Sequence, residues 1–176
     1  IGSQITDLKP FEDSVKKLIA LIDKLEIEGI NIEHIDIGGG IGISYEDEKA
    51  IPFDDYAKAV TTLTKGRDLK ILLEPGRVIM ADAGAILTKV EYVKKTQDKN
   101  FAIIDAAMND LMRPSLYGAF HKIINTSEIS DKESVFDIVG PICETGDFIG
   151  KDRVISIEPN NILVIMDTGA YAMSMS

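Results

Sequence analysis

The chain has 176 residues, 45% of them hydrophobic, so it is long enough and apolar enough to bury a core of its own. Asp and Glu number 29 against 19 Lys and Arg, a formal net charge of −10, and no basic run is longer than the Lys94-Lys95 pair. This balance argues against nucleic acid and anionic membranes as partners. The single cysteine, Cys143, rules out an internal disulfide, and the chain has no signal-like start and no apolar run near bilayer length. We therefore expect a reducing, cytoplasmic location.

The first half of the chain alternates predicted helices and strands. Residues 9 to 28 predict an amphipathic helix, because their apolar residues share one helical stripe between Pro10 and Gly29. A strand over residues 33 to 37 follows, then a helix over roughly 53 to 65, and then a short buried strand over residues 70 to 73. The order helix, strand, helix, strand is typical of a parallel βα unit.

Polar motifs follow both predicted strands. Glycines at 38, 39, 40 and 42 end the first strand, and Glu74-Pro75-Gly76-Arg77 ends the second. Ligands of parallel α/β folds sit at the carboxyl ends of strands, so we expect the two motifs to be neighbours. The glycines suit either a phosphate cup or a plain tight turn, and the Glu74–Arg77 pair suits either a ligand or an ion pair across the turn. Position 43 is isoleucine, so the dinucleotide fingerprint is not met.

After about residue 85 the pattern changes to short strands separated by Gly, Pro, Asn and Asp. Strands are predicted over residues 86 to 93, 101 to 105, 135 to 139, 154 to 157 and 162 to 166, joined to the first half by a short helix near 78 to 85. The fold class is therefore α/β plus β, with an α/β part over residues 1–85 and a mostly β part over residues 86–176.

Three polar loops in the second half carry chemically capable side chains. Arg113 and Tyr117 lie four apart in a predicted turn region, where an exposed pair of this kind usually belongs to the surface. Cys143 and Glu144 lie side by side between glycines, and the thiol is either a small buried hydrophobe or a reactive group. Tyr171 closes a third loop. The two histidines stand apart from any ligand-spaced partners, so no metal site is expected.

Five motifs in a fixed order resemble the diaminopimelate decarboxylases, a family of pyridoxal-phosphate-dependent decarboxylases that share the alanine racemase barrel. They are His-Ile-Asp-Ile-Gly-Gly-Gly at 34 to 40, Glu-Pro-Gly-Arg at 74 to 77, Arg-Pro-Ser-Leu-Tyr-Gly-Ala at 113 to 119, Cys-Glu-Thr-Gly-Asp at 143 to 147 and Gly-Ala-Tyr-Ala-Met-Ser at 169 to 174. The resemblance implies that residues 1–85 form the last units of a (β/α)8 TIM-type barrel and that residues 86–176 form much of a C-terminal β domain.

The resemblance also implies a cofactor, pyridoxal 5'-phosphate, and its contacts. The phosphate is expected in the loop of Gly38, Gly39 and Gly40, with Ser3 nearby. Glu74 is expected to face the pyridine nitrogen and keep it protonated, within the motif that also contains Pro75 and Gly76. Arg77 is expected beside the phosphate and the substrate carboxylate, and Tyr171 is expected to touch both cofactor and substrate.

The implied reaction is decarboxylation of meso-2,6-diaminopimelate to L-lysine and CO2. Arg113 and Tyr117 are expected to hold the far end of the substrate. Cys143 is expected to protonate the substrate carbon after CO2 leaves, and Glu144 to bind the distant ammonium, both in the site of a partner subunit in a homodimer. Glu144 and Arg113 favour diaminopimelate over ornithine, which lacks the second carboxylate.

Two alternatives stay open: a decarboxylase of another basic amino acid or polyamine precursor, and a cofactor-binding or interaction module without chemistry. The family lysine that attaches the cofactor is expected on the first barrel strand, and no lysine here matches that context. The chain also starts without methionine and stops soon after a glycine-rich loop. We therefore expect it to be a fragment that does not catalyse alone.

Overall fold

A computed structural model describes residues 1–127 and 132–176. The chain forms two compact units, Ile1–Ile79 and Met80–Ser176.

The first unit is built from two helices and two short parallel strands. Helix α1 covers Lys9–Ile27 and α2 covers Phe53–Leu63, while strands β1, His34–Asp36, and β2, Lys70–Leu72, pair in parallel. The two predicted helices and the predicted parallel arrangement of the two strands are confirmed. The apolar stripes of the helices meet in one core, where the Phe11 and Tyr56 rings stack edge to face with centroids 5.0 Å apart.

The prediction that the second strand is buried was wrong. Leu72 and Leu73 are 41% and 49% exposed, whereas Ile71 packs against the core. Successive residues of a strand point to opposite faces, so only the face that carries Ile71 meets the helices.

The second unit is a six-stranded sheet. Its strands are β3 (Ile86–Lys95), β4 (Asn100–Ile104), β5 (Ile123–Asn125), β6 (Ser134–Val139), β7 (Phe148–Ile155) and β8 (Ile162–Ile165), in the order β5-β8-β3-β4-β6-β7. A Cβ built on Gly150 of β7 would lie 2.9 Å from Cδ1 of Ile123 in β5, so the two edge strands lie side by side. The sheet is therefore a nearly closed barrel whose interior holds the second core.

Two short elements of this unit were not predicted from the sequence. Helix α4, Arg113–Tyr117, and strand β5 are too short to show a period of their own. Strand β7 also starts six residues before the predicted strand at 154, since Gly150 interrupts its apolar alternation. The connecting helix α3 is one turn, Arg77–Met80. Within the described residues, no helix combines the length and apolarity that crossing a membrane requires.

Candidate functional site

In the first unit, the glycine loop after β1 lies against the Glu74 motif after β2. The amide of Glu74 donates a hydrogen bond to the carbonyl of Gly38 at 3.0 Å, which continues the ladder between the two strands. The Asp36 carboxylate accepts the Gly38 amide at 2.8 Å and shapes the start of the loop. The expectation that the two motifs are neighbours is confirmed.

The loop needs glycine for two different reasons. A Cβ on Gly39 would overlap the carbonyl oxygen of Glu74, so the two backbones can approach only without it. Gly40 has a φ of +105°, and a Cβ there would lie 2.6 Å from the carbonyl oxygen of Gly2. The loop is therefore packed between β2 and the segment that carries Ser3.

Two hydroxyl groups hold the guanidinium of Arg77. Its Nη2 donates to Oγ of Ser3 at 2.9 Å, and its Nη1 donates to the phenolic oxygen of Tyr45 at 2.6 Å. Tyr45 is only 7% exposed, and its ring centroid lies 5.6 Å from the guanidinium carbon. The structure thus brings Ser3 and Arg77 together, as expected, and adds Tyr45.

These groups fit the phosphate and pyridine ring of a pyridoxal cofactor. Across residues 1–127 and 132–176, no described hydrogen bond uses the amides of Gly39 and Gly40 as donors, so both can serve an anion near Arg77. The exposed Glu74 carboxylate reaches over the loop, since its Oε2 would lie 4.0 Å from a Cβ on Gly38. A carboxylate at this position suits a protonated pyridine nitrogen.

In the second unit, Arg113 is the first residue of α4 and is buried. Its Nη1 lies 2.8 Å from Nε2 of His121, whose Nδ1 lies 2.9 Å from the carbonyl oxygen of Met166. Arg113 is 7% exposed and His121 is fully buried. The interpretation of Arg113 as an exposed turn residue was wrong, because the turn is a helix whose start faces the protein interior. Tyr117 at the other end is 67% exposed.

Tyr171 lies on the loop after β8, which rests on backbone of residues 80 to 84. Thr168 donates its amide to the Gly84 carbonyl and Gly169 donates to the Ala81 carbonyl, at 2.9 and 3.0 Å. Burial, with a smaller contribution from Asp82, raises the pKa of Asp167 at the start of the loop. Tyr171 itself is 39% exposed and has a φ of +61°, in the left-handed region.

Cys143 and Glu144 lie on the exposed loop between β6 and β7, and Asp147 determines the shape of that loop. The buried Asp147 carboxylate accepts the amides of Met108 at 2.7 Å and Ile142 at 2.8 Å. Cys143 is exposed, so the interpretation as a small buried hydrophobe was wrong. The loop therefore presents the thiol to solvent in this chain.

Sequence reasoning missed three residues that orient the candidates: Tyr45, His121 and Asp147. Nothing in the sequence indicated a role for Tyr45, because it lies in a polar loop far along the chain from Arg77. His121 was considered only as a metal ligand, although a buried histidine near an arginine is also a hydrogen-bond acceptor. Asp147 is the last residue of the Cys143 motif, and an aspartate directly after a glycine in a tight loop is a recognisable signal for hydrogen bonding to the backbone.

Residues 13–169 match the family model described as the pyridoxal-dependent decarboxylase C-terminal sheet domain. The chain therefore belongs to the pyridoxal-dependent decarboxylase family. Within that family it is 51% identical to a diaminopimelate decarboxylase of Neisseria meningitidis serogroup B, in an alignment that covers 100% of this chain and 42% of that protein. The resemblance inferred from the five motifs is confirmed.

Solved structures agree with this assignment. The diaminopimelate decarboxylase of Helicobacter pylori complexed with L-lysine is 42% identical, with a TM-score of 0.94, and the match covers 100% of this chain and 44% of that one. The corresponding enzyme of M. jannaschii in co-complex with L-lysine is 39% identical, also with a TM-score of 0.94, over 100% and 42% of the two chains. The chain thus spans less than half the length of the relatives it matches.

Proposed function

We propose that the full-length protein containing this chain is a diaminopimelate decarboxylase, which converts meso-2,6-diaminopimelate to L-lysine and CO2 with pyridoxal 5'-phosphate. The observation that carries the proposal is the 51% identity, over the whole chain, to a diaminopimelate decarboxylase. A cluster of suitable groups in the first unit supports the proposal: it contains the glycine loop, whose amides can bind an anion, together with Glu74 and Arg77. On this proposal, residues 1–85 belong to the last units of a (β/α)8 barrel and residues 86–176 to the C-terminal β domain.

The cofactor would be held by the first-unit cluster. The glycine-loop amides and Ser3 suit its phosphate, Arg77 adds the positive charge, and the Pro75-Gly76 turn sets the distance between Arg77 and Glu74. When bound, the cofactor supplies the electron sink that makes loss of CO2 from an amino acid possible. Glu74 contributes by keeping a proton on the pyridine nitrogen, because a carboxylate stabilises the protonated ring.

The second unit would supply substrate recognition and proton transfer. The Arg113 guanidinium suits the substrate carboxylate farthest from the reacting carbon, and Tyr117 and Tyr171 supply hydroxyls for substrate and cofactor. Cys143 would deliver a proton to the carbon that loses CO2, and Glu144 would bind the distal ammonium. We place the last two in the partner's site of a homodimer, since the loop that carries them is exposed in this chain.

The test is the reaction of the purified full-length protein with pyridoxal phosphate and meso-diaminopimelate, with L-ornithine and L-lysine as competing substrates. Equimolar release of CO2 and L-lysine from diaminopimelate alone is the expected result. Faster reaction with ornithine or lysine would support the rival basic amino-acid decarboxylase. A protein that binds the cofactor and reacts with none of them would support the module without chemistry.

The same assay tests the individual roles. Cys143→Ser is expected to lower kcat by about a hundredfold with little change in KM, because general acid catalysis contributes factors of this size. Residues 1–176 expressed alone are expected to be inactive. Mixing Cys143→Ser with an Arg77→Gln variant is expected to restore part of the activity if each site draws residues from two subunits, since mixed dimers then hold one intact site.

A further inference from the structure

His121 occupies a position that the proposed chemistry does not yet use. It is fully buried, and each of its ring nitrogens lies within hydrogen-bond distance of a named group: Nε2 is 2.8 Å from Nη1 of Arg113, and Nδ1 is 2.9 Å from the carbonyl oxygen of Met166. The ring therefore links helix α4 to the carboxyl end of strand β8.

The chemistry of the two neighbours fixes the tautomer of His121. A guanidinium has only N–H donors and stays protonated, so Nε2 of His121 must accept the hydrogen bond from Arg113. A carbonyl oxygen only accepts, so Nδ1 must carry the proton and donate it to Met166. Both contacts are satisfied only by the neutral imidazole with its hydrogen on Nδ1.

The fold explains why these groups meet. Gly118 ends α4 in the left-handed conformation with a φ of +62°, which reverses the chain toward β5. Strand β5 then pairs with β8 in the register Ile123↔Ile165, and the Met166 amide donates to the Lys122 carbonyl at 2.8 Å. This register places His121 next to Met166, one residue before the loop that carries Tyr171.

We propose that His121 is a positioning residue that fixes the Arg113 guanidinium relative to the Tyr171 loop, so that Arg113 can hold the carboxylate at the far end of the substrate. The inference rests on the proposed function. An arginine side chain has many rotamers, and ordering it before substrate binds removes an entropy cost from the binding step. His121 acts through Arg113 and does not touch the substrate.

The experiment compares two ligands of the full-length holoenzyme that differ by one carboxylate: L-lysine, which has it, and cadaverine, which lacks it. Two substitutions separate the contacts. In His121→Gln, the amide oxygen can reach the place of Nε2 and accept from Arg113. In His121→Asn, the amide can replace Nδ1 toward Met166 but is too short to reach Arg113.

In His121→Asn, we expect the Kd for L-lysine and the KM for diaminopimelate to rise about tenfold, the effect of losing one charge-assisted hydrogen bond. The Kd for cadaverine and kcat should change by less than about twofold, and His121→Gln should restore most of the L-lysine affinity. In an Arg113→Gln background, His121→Asn should add almost nothing, since its effect passes through the arginine.

Equal weakening of L-lysine and cadaverine binding, or a full additional loss in the Arg113→Gln background, would show that His121 is only structural. If His121→Asn is unstable, His121→Gln keeps the test decisive: it retains the contact with Arg113, so it should keep most of the L-lysine affinity, and a loss equal to that for cadaverine would overturn the proposal. If the unaltered holoenzyme binds L-lysine more tightly than cadaverine, and both His121 variants show the same preference, only the role proposed for His121 is contradicted. If the unaltered holoenzyme binds L-lysine no better than cadaverine, the proposed substrate and the inference fall together.

Discussion

The phenolic oxygen of Tyr45 lies 2.6 Å from Nη1 of Arg77, 32 residues away in the chain. Tyr45 is itself fixed, because its amide donates to the Glu48 carboxylate at 3.0 Å and its ring is buried. The loop between β1 and α2 therefore provides a rigid support for the arginine that we assign to the cofactor phosphate. This support is what the substitution Tyr45→Phe removes.

Tyr45→Phe is expected to weaken binding of pyridoxal phosphate by about three- to tenfold, the usual effect of one lost hydrogen bond. The aromatic ring and its packing stay, so the midpoint of thermal unfolding should change little. The measurement is a spectral titration of the full-length apoenzyme with the cofactor. Tyr56→Phe is the matched control, since Tyr56 is equally buried but packs on Phe11. Unchanged affinity in Tyr45→Phe would contradict the assigned role.

Gly39→Ala is expected to reduce cofactor affinity and to destabilise the protein by about 1–3 kcal/mol, as other overpacked positions do. The cause is the overlap between the new Cβ and the Glu74 carbonyl oxygen, which must separate the loop from β2. Gly29→Ala is the comparison: Gly29 has a φ of +81° and nothing within 4 Å of a Cβ. That control should lose some stability through backbone strain and keep its cofactor affinity. Cofactor titration and thermal unfolding together separate the two effects.

Gly140→Ala and Gly146→Ala test the support of the Cys143 loop, because they make the same change at its two ends. A Cβ on Gly140 would overlap the Asp147 carboxylate and lie 2.7 Å from Cα of Ala107, whereas one on Gly146 meets nothing closer than 3.9 Å. We expect Gly140→Ala to cost about 1–3 kcal/mol and to lower kcat. Gly146→Ala should stay within about 0.5 kcal/mol of the unaltered protein. Denaturant unfolding and the rate of lysine formation are the measurements, and equal behaviour of both variants would contradict the role of Asp147.

Asp137→Asn is expected to lower stability at neutral pH by about 1–3 kcal/mol, because it removes the negative charge that pairs with Lys99 at 2.8 Å. Burial raises the pKa of Asp137, but hydrogen bonds from Lys99 and the Asp152 amide outweigh it and hold the pKa below its ordinary value. Because the pKa of Asp137 is lower in the folded state, the charged carboxylate stabilises the fold at pH values above the unfolded-state pKa. This stabilisation is lost as the pH falls through the folded-state pKa.

The stability gap between the unaltered protein and Asp137→Asn should therefore be constant near neutrality and shrink as the pH falls below about 4. Urea unfolding at a series of pH values measures it. Asp152→Asn is the control, since the Asp152 carboxylate is exposed and lies 3.7 Å from the same lysine. A gap that stays constant down to low pH would contradict the assigned cause.

Long periodic stripes made parts of the fold predictable. Helices α1 and α2 follow from apolar residues at helical spacing, and the parallel pairing of β1 with β2 follows from the order of elements. The neighbouring positions of the Gly38 loop and Glu74 follow from that pairing. Short elements such as β5 were missed, since they form only because a neighbouring strand supplies their hydrogen bonds.

The sequence alone indicated the family, because five motifs in a fixed order resemble those of the diaminopimelate decarboxylases. It also determined which glycines and charged residues were candidates for binding. Only the tertiary structure decided what holds them in place: Tyr45 on Arg77, His121 on Arg113 and Asp147 under the Cys143 loop. Each of these contacts joins residues from different segments, and a hydrogen bond depends on distance and direction that the folded backbone sets and local sequence does not encode.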